Sequence, residues 1–557
     1  MTSSALGTVR PAATVVVVRD APAGLEVLLL RRAQRGDLNS GAWVFPGGLV
    51  DGGDAGLAPH CRGLNPDQAN IRLGLDQGGI DSYVAALREC FEEAGLLYAV
   101  NAQGRLLQGN EAQALAHWRD PLQRGERSLA NLCHEHRLTL ALDHFAYLSH
   151  WVTPVGRAKR FDTRFFLAVA PAGQTALHDD GELVEQRWLR PAHALAEGTA
   201  LRLMTPTLKT LQTLAAFDDT AALMDWARSP RDIPRWEPRL GRDAQGERPV
   251  TPDEPAWVEL GRLDPQGRGQ VSCVMQPGVP VRLSPHVIRL TAPNPGVMTG
   301  PGTNSYLVGG GPRNHWAVID PGPADAAHVA ALQAAAPGPI RWIFATHTHL
   351  DHSPACALLR AATGAPVLGR VAAHASGQDP SFAPDEVLGG GEHLSLDDGL
   401  SLRVVHTPGH ASNHLCYLLE EEKTLFTGDH VMQRSTVVIN PPDGDMAAYL
   451  DSLRSLCDLE LDWLAPGHGF LMDQPRRVFE ALIAHRLRRE AKVLAALQAL
   501  PEAAAERLLP VVYDDVPERM HPIALRSLHA HLNKLRDEGT AVEQQQRWSV
   551  RLGGTTT

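Results

Sequence analysis

Thr346-His347-Thr348-His349-Leu350-Asp351-His352 follows directly on an apolar run at 342–345. Four candidate metal ligands fall within six residues at the end of a predicted strand. The strand fixes the backbone, and the loop lets alternate side chains turn toward one point. Three further donors recur, each after its own strand pattern. His410 closes His406-Thr407-Pro408-Gly409-His410, Asp429 lies in Thr427-Gly428-Asp429-His430, and His468 lies in Pro466-Gly467-His468-Gly469. Glycine in each turn permits the tight backbone that presents the donor. A chance run of surface histidines does not explain four strand-end placements. Histidine and aspartate together suit Zn²⁺ or a similar divalent ion.

The chain around this stretch has 557 residues. A single core stops growing at roughly 250–300 residues, so at least two domains are expected. The formal net charge of −11 excludes a global field that would draw nucleic acid or anionic membrane. The seven cysteines are odd in number and form no C-x-x-C pair, which predicts free thiols in a reducing, cytoplasmic compartment. The N-terminal residues hold no apolar stretch longer than 15–18, so neither a signal peptide nor a membrane span is expected there. Nothing in the sequence assigns an oligomeric state.

Strand and helix patterns alternate over 10–215, beginning with strands at 14–19 and 26–30 around a turn at 21–24. Residues 216–284 are read as a linker and irregular edge, because 228–285 is rich in Pro, Gly, Arg and Asp. Strand signals resume over 285–480, at 304–308, 316–319, 342–345, 402–405 and 424–427, with helical stretches at 326–336 and 355–363. Such alternation predicts a layered α/β fold. Residues 481–557 continue a helical stretch at 478–500, add a second at 522–538 closed by Gly539, and end on a strand pattern. That order predicts a winged-helix-like tail.

The second-half donors resemble the metallo-β-lactamase superfamily, whose pattern is H-x-H-x-D-H, then His, Asp and His in that order. All seven positions are present. The resemblance implies an αββα sandwich with two Zn²⁺ ions, one on His347, His349 and His410, the other on Asp351, His352 and His468, with Asp429 bridging. It implies hydrolysis by a water activated between two cations, with Asp351 both ligand and orienter of the nucleophile. His414 is read as a contact near the site and His406 as structural. Asn294-Pro295-Gly296, the run Gly302-Thr303-Asn304-Ser305-Tyr306-Leu307-Val308 and the tail from His485-Arg486-Leu487-Arg488-Arg489-Glu490 narrow the resemblance to the β-lactamase-like protein 2 group, over about residues 285–550. Members of that group are described as metal-dependent endoribonucleases acting on single-stranded RNA. Arg526, Lys534, Arg536, Arg547 and Arg551 are the candidate phosphate contacts on the tail. They are equally read as ordinary solvated charges.

A second constellation, Arg88-Glu89-Cys90-Phe91-Glu92-Glu93-Ala94-Gly95-Leu96, places Glu89, Glu92 and Glu93 on one helix face. Hard cations such as Mg²⁺ or Mn²⁺ relieve the repulsion among such carboxylates. Upstream, Phe45-Pro46-Gly47-Gly48 lets backbone approach a metal or phosphate. These residues resemble the Nudix box, G-x5-E-x7-R-E-U-x-E-E-x-G-U, where U is bulky and apolar. Asp54 replaces a glutamate of that box, and 33 residues instead of seven separate Asp54 from Arg88. The insertion, together with Trp151-Val152-Thr153-Pro154 and Arg160-Phe161-Asp162-Thr163-Arg164-Phe165-Phe166, resembles the Nudix 19-type coenzyme A diphosphatase group over about 10–215. The fold implied is an α/β/α sandwich. Glu92 and Glu93 are the metal ligands implied, Glu89 a ligand or base, Arg88 their orienter, and Glu182 or Glu185 a distal carboxylate. The coenzyme A signature fits at Leu28, Leu29, Arg32, Ala33, Gly41 and 45–48 but departs at Leu30 and Asp37.

The chain is therefore expected to be a two-site metallohydrolase. The second half is expected to cut a phosphodiester in single-stranded RNA, and the first to split a small nucleoside-diphosphate-linked or coenzyme A-like compound. The alternatives are acyl-thioester hydrolysis of the glyoxalase II type coupled to coenzyme A diphosphatase, or a first half that only binds a ligand.

Overall fold

The computed structural model describes residues 8–34, 40–178, 183–197 and 200–551. These residues separate into two compact units that divide near 241, with short exchanges between 242 and 270.

In the first unit the hairpin predicted near the N-terminus is present. Val9–Ala21 pairs antiparallel with Gly24–Arg32, with Ala21 opposite Gly24, and runs parallel to Arg160–Val169. Leu183–Leu189 and Ala146–Val152 extend this mixed sheet on either side. Period-two alternation sends Val15 and Val17 to one face and Val16 and Val18 to the other, so the sheet is buried on both sides. The first face packs on the helix Gly79–Ala94 through Tyr83, Leu87 and Phe91, and the second on Leu211, Leu214 and Leu223. This is the expected α/β/α sandwich. The insertion is folded. It carries the helix Pro66–Leu73, capped by Asn65, which buries Ala69 and Leu73 against the same core.

The stretch expected to be a linker is largely structured. Thr220–Arg228 is a helix capped by the Asp219 side chain, and its Leu223, Met224 and Ala227 complete the second core of the first unit. Asp20 accepts from both the amide and the hydroxyl of Thr220. Trp257–Leu263 is a helix of the second unit. Its Glu259 accepts two bonds from Arg289 at 2.6 and 2.9 Å and one from the amide of Leu471. Proline and arginine dominate this stretch and hide its short apolar spacings from a composition-based reading.

The second unit stacks a seven-stranded and a five-stranded sheet, an αββα arrangement as expected. Tyr306, Ile319 and Phe344 of one sheet meet Leu402, Tyr417 and Phe426 of the other. Ala326–Ala335 and Ala355–Thr363 cover one outer face, and Met446–Leu456 with the start of Pro475–Ala499 covers the other. The tail holds His521–Asp537, the hairpin Ala541–Gln544 with Arg547–Val550, and a further helix, Ala505–Val512, that the periodicity did not reveal because Pro510 interrupts it. No helix among the described residues is long and apolar enough to cross a membrane.

Arg289 and Glu259 are both buried, so removing one partner strands a charge. Glu259→Ala is expected to lower stability by about 3–5 kcal/mol. Replacing both residues with apolar ones should restore much of that loss, as read by thermal or urea denaturation.

Candidate metal centres

Each second-half donor stands just past the end of a strand. His347 follows Ile340–Phe344, His410 follows Leu400–His406, Asp429 follows Thr424–Gly428, and His468 follows Trp463–Pro466. These strand ends bring the donors into two groups. His347, His349 and His410 form one, and Asp351, His352, Asp429 and His468 form the other, with donor atoms inside each group within 4.8 Å of one another. The nitrogens His347 Nε2 and His410 Nε2 lie 2.9 and 3.0 Å from His349 Nδ1. Asp429 faces both groups. Its Oδ1 lies 3.3 Å from His352 Nε2 and 3.2 Å from His468 Nε2, and its Oδ2 lies 3.8 Å from His410 Nε2.

The opposite edge of most of these rings is held by an acceptor. His352 Nδ1 donates to Asp320 Oδ2 at 2.9 Å, His410 Nδ1 to the Val438 carbonyl at 2.8 Å, and His468 Nδ1 to the Gly302 carbonyl at 3.1 Å. His347 Nδ1 meets Thr346 Oγ1 at 3.0 Å, and that hydroxyl donates to Asp320 Oδ2 at 2.7 Å. Fixing Nδ1–H on the far side leaves the Nε2 lone pair pointing inward. His349 is reversed, with Nδ1 inward. Asp320 was not singled out in the sequence. It ends the strand His315–Ile319 at φ 52°, and also accepts the Thr346 amide. The Asp320-Pro321-Gly322 turn after that strand was the available signal. Asn304 was likewise missed as a support. Its side-chain amide donates to the carbonyls of Pro466 and Gly469 and so frames the turn that carries His468.

Burial, then neighbouring imidazoles, pushes His347 well below the usual histidine range, and burial with His410 brings His349 down to about 4. Both are neutral donors. Burial opposes ionisation of Asp351 and Asp429, but His352 and His468 hold both carboxyls below their ordinary range. Buried His352 Nε2, Asp429 Oδ1 and His468 Nε2 find no hydrogen-bond partner among the described residues. Inward lone pairs, anionic oxygens and orphaned buried atoms at one point are what divalent ions require, and the residues fit them. His414 is buried beside this centre, its ring stacked 5.1 Å from that of His347 and its Nδ1 on Thr407 Oγ1. His406 is not among the donors and contacts the Ser412 carbonyl instead.

Four exposed apolar residues stand on chain segments that neighbour the donors. Val297 and Met298 are exposed on the loop whose Gly302 and Thr303 contact His468 and Asp351. Leu350, 58% exposed, sits between two donors, and Val371, also 58% exposed, follows Arg370, whose carbonyl is held by Asn413. Among the described residues no phenylalanine, tyrosine or tryptophan belongs to the exposed large apolar set. Of the tail cations, Lys534 pairs with Glu490 and Glu538, Arg536 with Asp537 and Glu543, and Arg547 donates to the Glu502 carbonyl.

In the first unit the helix Gly79–Ala94 carries the carboxylates. Arg88 reaches across the insertion: its Nε and Nη2 donate to the two oxygens of buried Asp54 at 2.8 and 3.1 Å. Its Nη1 donates to Glu89 at 2.9 Å and Glu92 at 3.3 Å. Glu93 accepts the Gly47 amide at 2.8 Å. A Cβ on Gly48 would lie 2.2 Å from Glu89 Oε1, so glycine lets the loop approach this carboxylate without displacing it. Burial, against the pull of Arg88, pushes Glu92 up to about 7, with Glu89 and Asp54 adding to the rise. Glu92 Oε1 is buried without a hydrogen-bond partner among the described residues. A divalent ion fits that orphaned oxygen. The three glutamates converge less than the second-half donors, because Arg88 stands between Glu89 and Glu92 while Gly47 holds Glu93. Glu185 is engaged by Arg31 and Arg187. Glu182 and Asp37 lie outside the described residues.

Three family models match the chain: the NUDT19 Nudix domain at residues 77–206, the metallo-beta-lactamase superfamily at 298–468, and the beta-lactamase associated winged helix domain at 504–548. The chain is 32% identical to the beta-lactamase-like protein 2 homolog of Drosophila melanogaster over 271 residues, 46% of this chain and 90% of that protein. It is 34% identical to the atrochrysone carboxyl ACP thioesterase of Aspergillus fumigatus over 224 residues, 39% of this chain and 66% of that protein. A NUDIX hydrolase structure from Alicyclobacillus acidocaldarius is 29% identical, covering 40% of this chain and 97% of that one at a TM-score of 0.34. The chain is a metal-dependent hydrolase that belongs to the family of the beta-lactamase-like protein 2 homologs through its metallo-beta-lactamase and winged helix domains, with a NUDT19-type Nudix domain ahead of them.

Proposed function

We propose that the second half hydrolyses an acyl-thioester carried on a pantetheine arm, and that the first half splits the diphosphate of a coenzyme A-like or other nucleoside-diphosphate-linked compound. The observation that supports the thioester reading is that the exposed apolar residues Val297, Met298, Leu350 and Val371 stand on segments neighbouring the donors, where they offer apolar contact to an acyl chain. The likeness to a protein named as an ACP thioesterase supports it.

In this reading His347, His349 and His410 would hold one Zn²⁺ and Asp351, His352 and His468 a second, with Asp429 facing both groups. When bound, the ions supply Lewis acidity that lowers the pKa of a water and offsets charge developing on the acyl oxygen. The chain's own residues provide the geometry. Asp320 and the Val438 and Gly302 carbonyls keep the imidazole lone pairs turned inward. Asp351, beside Thr303 Oγ1 at 3.5 Å, orients the attacking water. In the first half Glu89, Glu92 and Glu93 hold Mg²⁺ or Mn²⁺, and Arg88 keeps Glu89 and Glu92 in register with Asp54.

A second reading, cleavage of single-stranded RNA, is favoured by the likeness to the Drosophila relative over 90% of its length. Sequence-tolerant RNA binding draws on aromatic stacking and unpaired cations. The exposed apolar residues beside the donors, with no aromatic in the exposed large apolar set among the described residues, and the pairing of Lys534, Arg536 and Arg547 favour the thioester, whereas Arg526 and Arg551 are exposed without an ion pair among the described residues.

Wild-type protein is expected to release free thiol from acyl-coenzyme A, monitored with a thiol reagent. Asp429→Ala should lower that rate by about 100-fold or more and lower the bound metal measured by elemental analysis. Cleavage of a labelled single-stranded RNA without thiol release from any acyl group would replace the thioester with the second reading. For the first half, Glu92→Gln and Glu93→Gln should each lower diphosphate cleavage of coenzyme A, followed by chromatography, by about 100-fold. Unchanged cleavage in both variants would make the first half a binding module.

A further inference from the structure

The segment 437–440 ties the second-half centre to the winged-helix tail. Val438 accepts His410 Nδ1 at 2.8 Å, Val437 accepts from the Arg486 guanidinium, and the Ile439 amide donates to Ser527 Oγ at 3.4 Å. Ser527 belongs to the helix His521–Asp537. Just beyond this pinned segment, Asn440, Pro441 and Pro442 form one wall of a groove of about 400 Å³, and Arg526, His529 and Asn533 line the helix wall. Spacings of three and four residues put those three side chains on one helix face. Asn440 is two residues past Val438, so the groove begins within about 7 Å of chain from the group that orients a metal donor.

Arg488, Arg507, Arg519 and Arg551 of the tail are exposed without an ion pair among the described residues, as Arg526 is, and of these Arg526 is the one that lines the groove. Lys534, Arg536, Lys492 and Arg489 are each paired with a carboxylate. Arg526 is exposed and has no ion pair or hydrogen bond among the described residues, and no acidic side chain lines the groove. An arginine left uncompensated beside two amides and an imidazole is a donor set for a phosphate. The prolines opposite offer apolar cover for the arm that carries it.

We propose that this groove binds the phosphate at the end of the substrate's pantetheine arm, so that Arg526 selects phosphorylated carriers for the second-half centre; the proposal rests on the thioester reading. The test compares acetyl-4′-phosphopantetheine with acetyl-pantetheine, using the full chain. Neither contains a diphosphate for the first half to split. The wild type should prefer the phosphorylated thioester through a lower KM. Arg526→Ala should reduce that preference, as a ratio of kcat/KM values, by about 10-fold, and Arg526→Glu should reduce it further. Calorimetric binding of 4′-phosphopantetheine should weaken in parallel. An unchanged preference and unchanged binding in both variants would overturn the groove as a phosphate site. If neither thioester releases thiol, the thioester reading falls on its own, and calorimetry still decides the groove. Binding that weakens in Arg526→Ala keeps it. Binding that is absent in the wild type or unaltered in the variant removes it, as does a variant that slows only RNA cleavage.

Discussion

Asp320 is the constraint on which the second-half centre rests. One carboxylate fixes the Thr346 amide and hydroxyl at the root of the donor loop, and holds His352 directly and His347 through the threonine. Each donor group thus has a member oriented by the same anion. The residue does this from a left-handed backbone conformation that costs a non-glycine side chain energy. The surrounding turn maintains it, with the Gly322 amide on the His352 carbonyl. Without that anion, two imidazoles on different parts of one loop would be free to rotate or change tautomer, and the donor geometry would have to be found anew at each binding event.

The donors themselves were legible because a strand followed by glycine and histidine is a local signal, and four such signals in order reinforce one another. Their supports were not legible. Asp320, Asn304 and the Val438 carbonyl act through contacts spanning 28 to 162 residues, and an aspartate before proline and glycine reads as an ordinary turn. The layered α/β arrangement was visible from strand runs alternating with helical stretches, whereas Thr220–Arg228 and Ala505–Val512 were hidden by charged neighbours and an internal proline. The substrate class is hidden from the sequence for a similar reason. Basic residues of the tail count as phosphate ligands in a sequence, but only their ion pairs reveal how little charge Lys534 and Arg536 have left to offer.

The two units handle carboxylates in opposite ways. In the second, Asp351 and Asp429 sit among imidazoles and remain anionic despite burial. In the first, Glu92 is crowded by other acids and is pushed up to about 7, with Arg88 only partly offsetting burial. The former suits a borderline ion shared with nitrogen donors, and the latter a hard ion that relieves crowding among oxygens.

The pairing of Arg88 with Asp54 has a consequence for how this chain can change. Asp54 is held at both oxygens beside Leu49, so the two ends of the inserted stretch meet at a fixed clasp. What lies between them contributes Ala69, Leu73, Tyr83 and Leu87 to the core but supplies none of the three glutamates at 89, 92 and 93. The cost of closing a loop grows only slowly with its length. A segment fastened in this way can change in length ahead of Gly79 at small entropic cost while the acidic helix and the glycine loop keep their register.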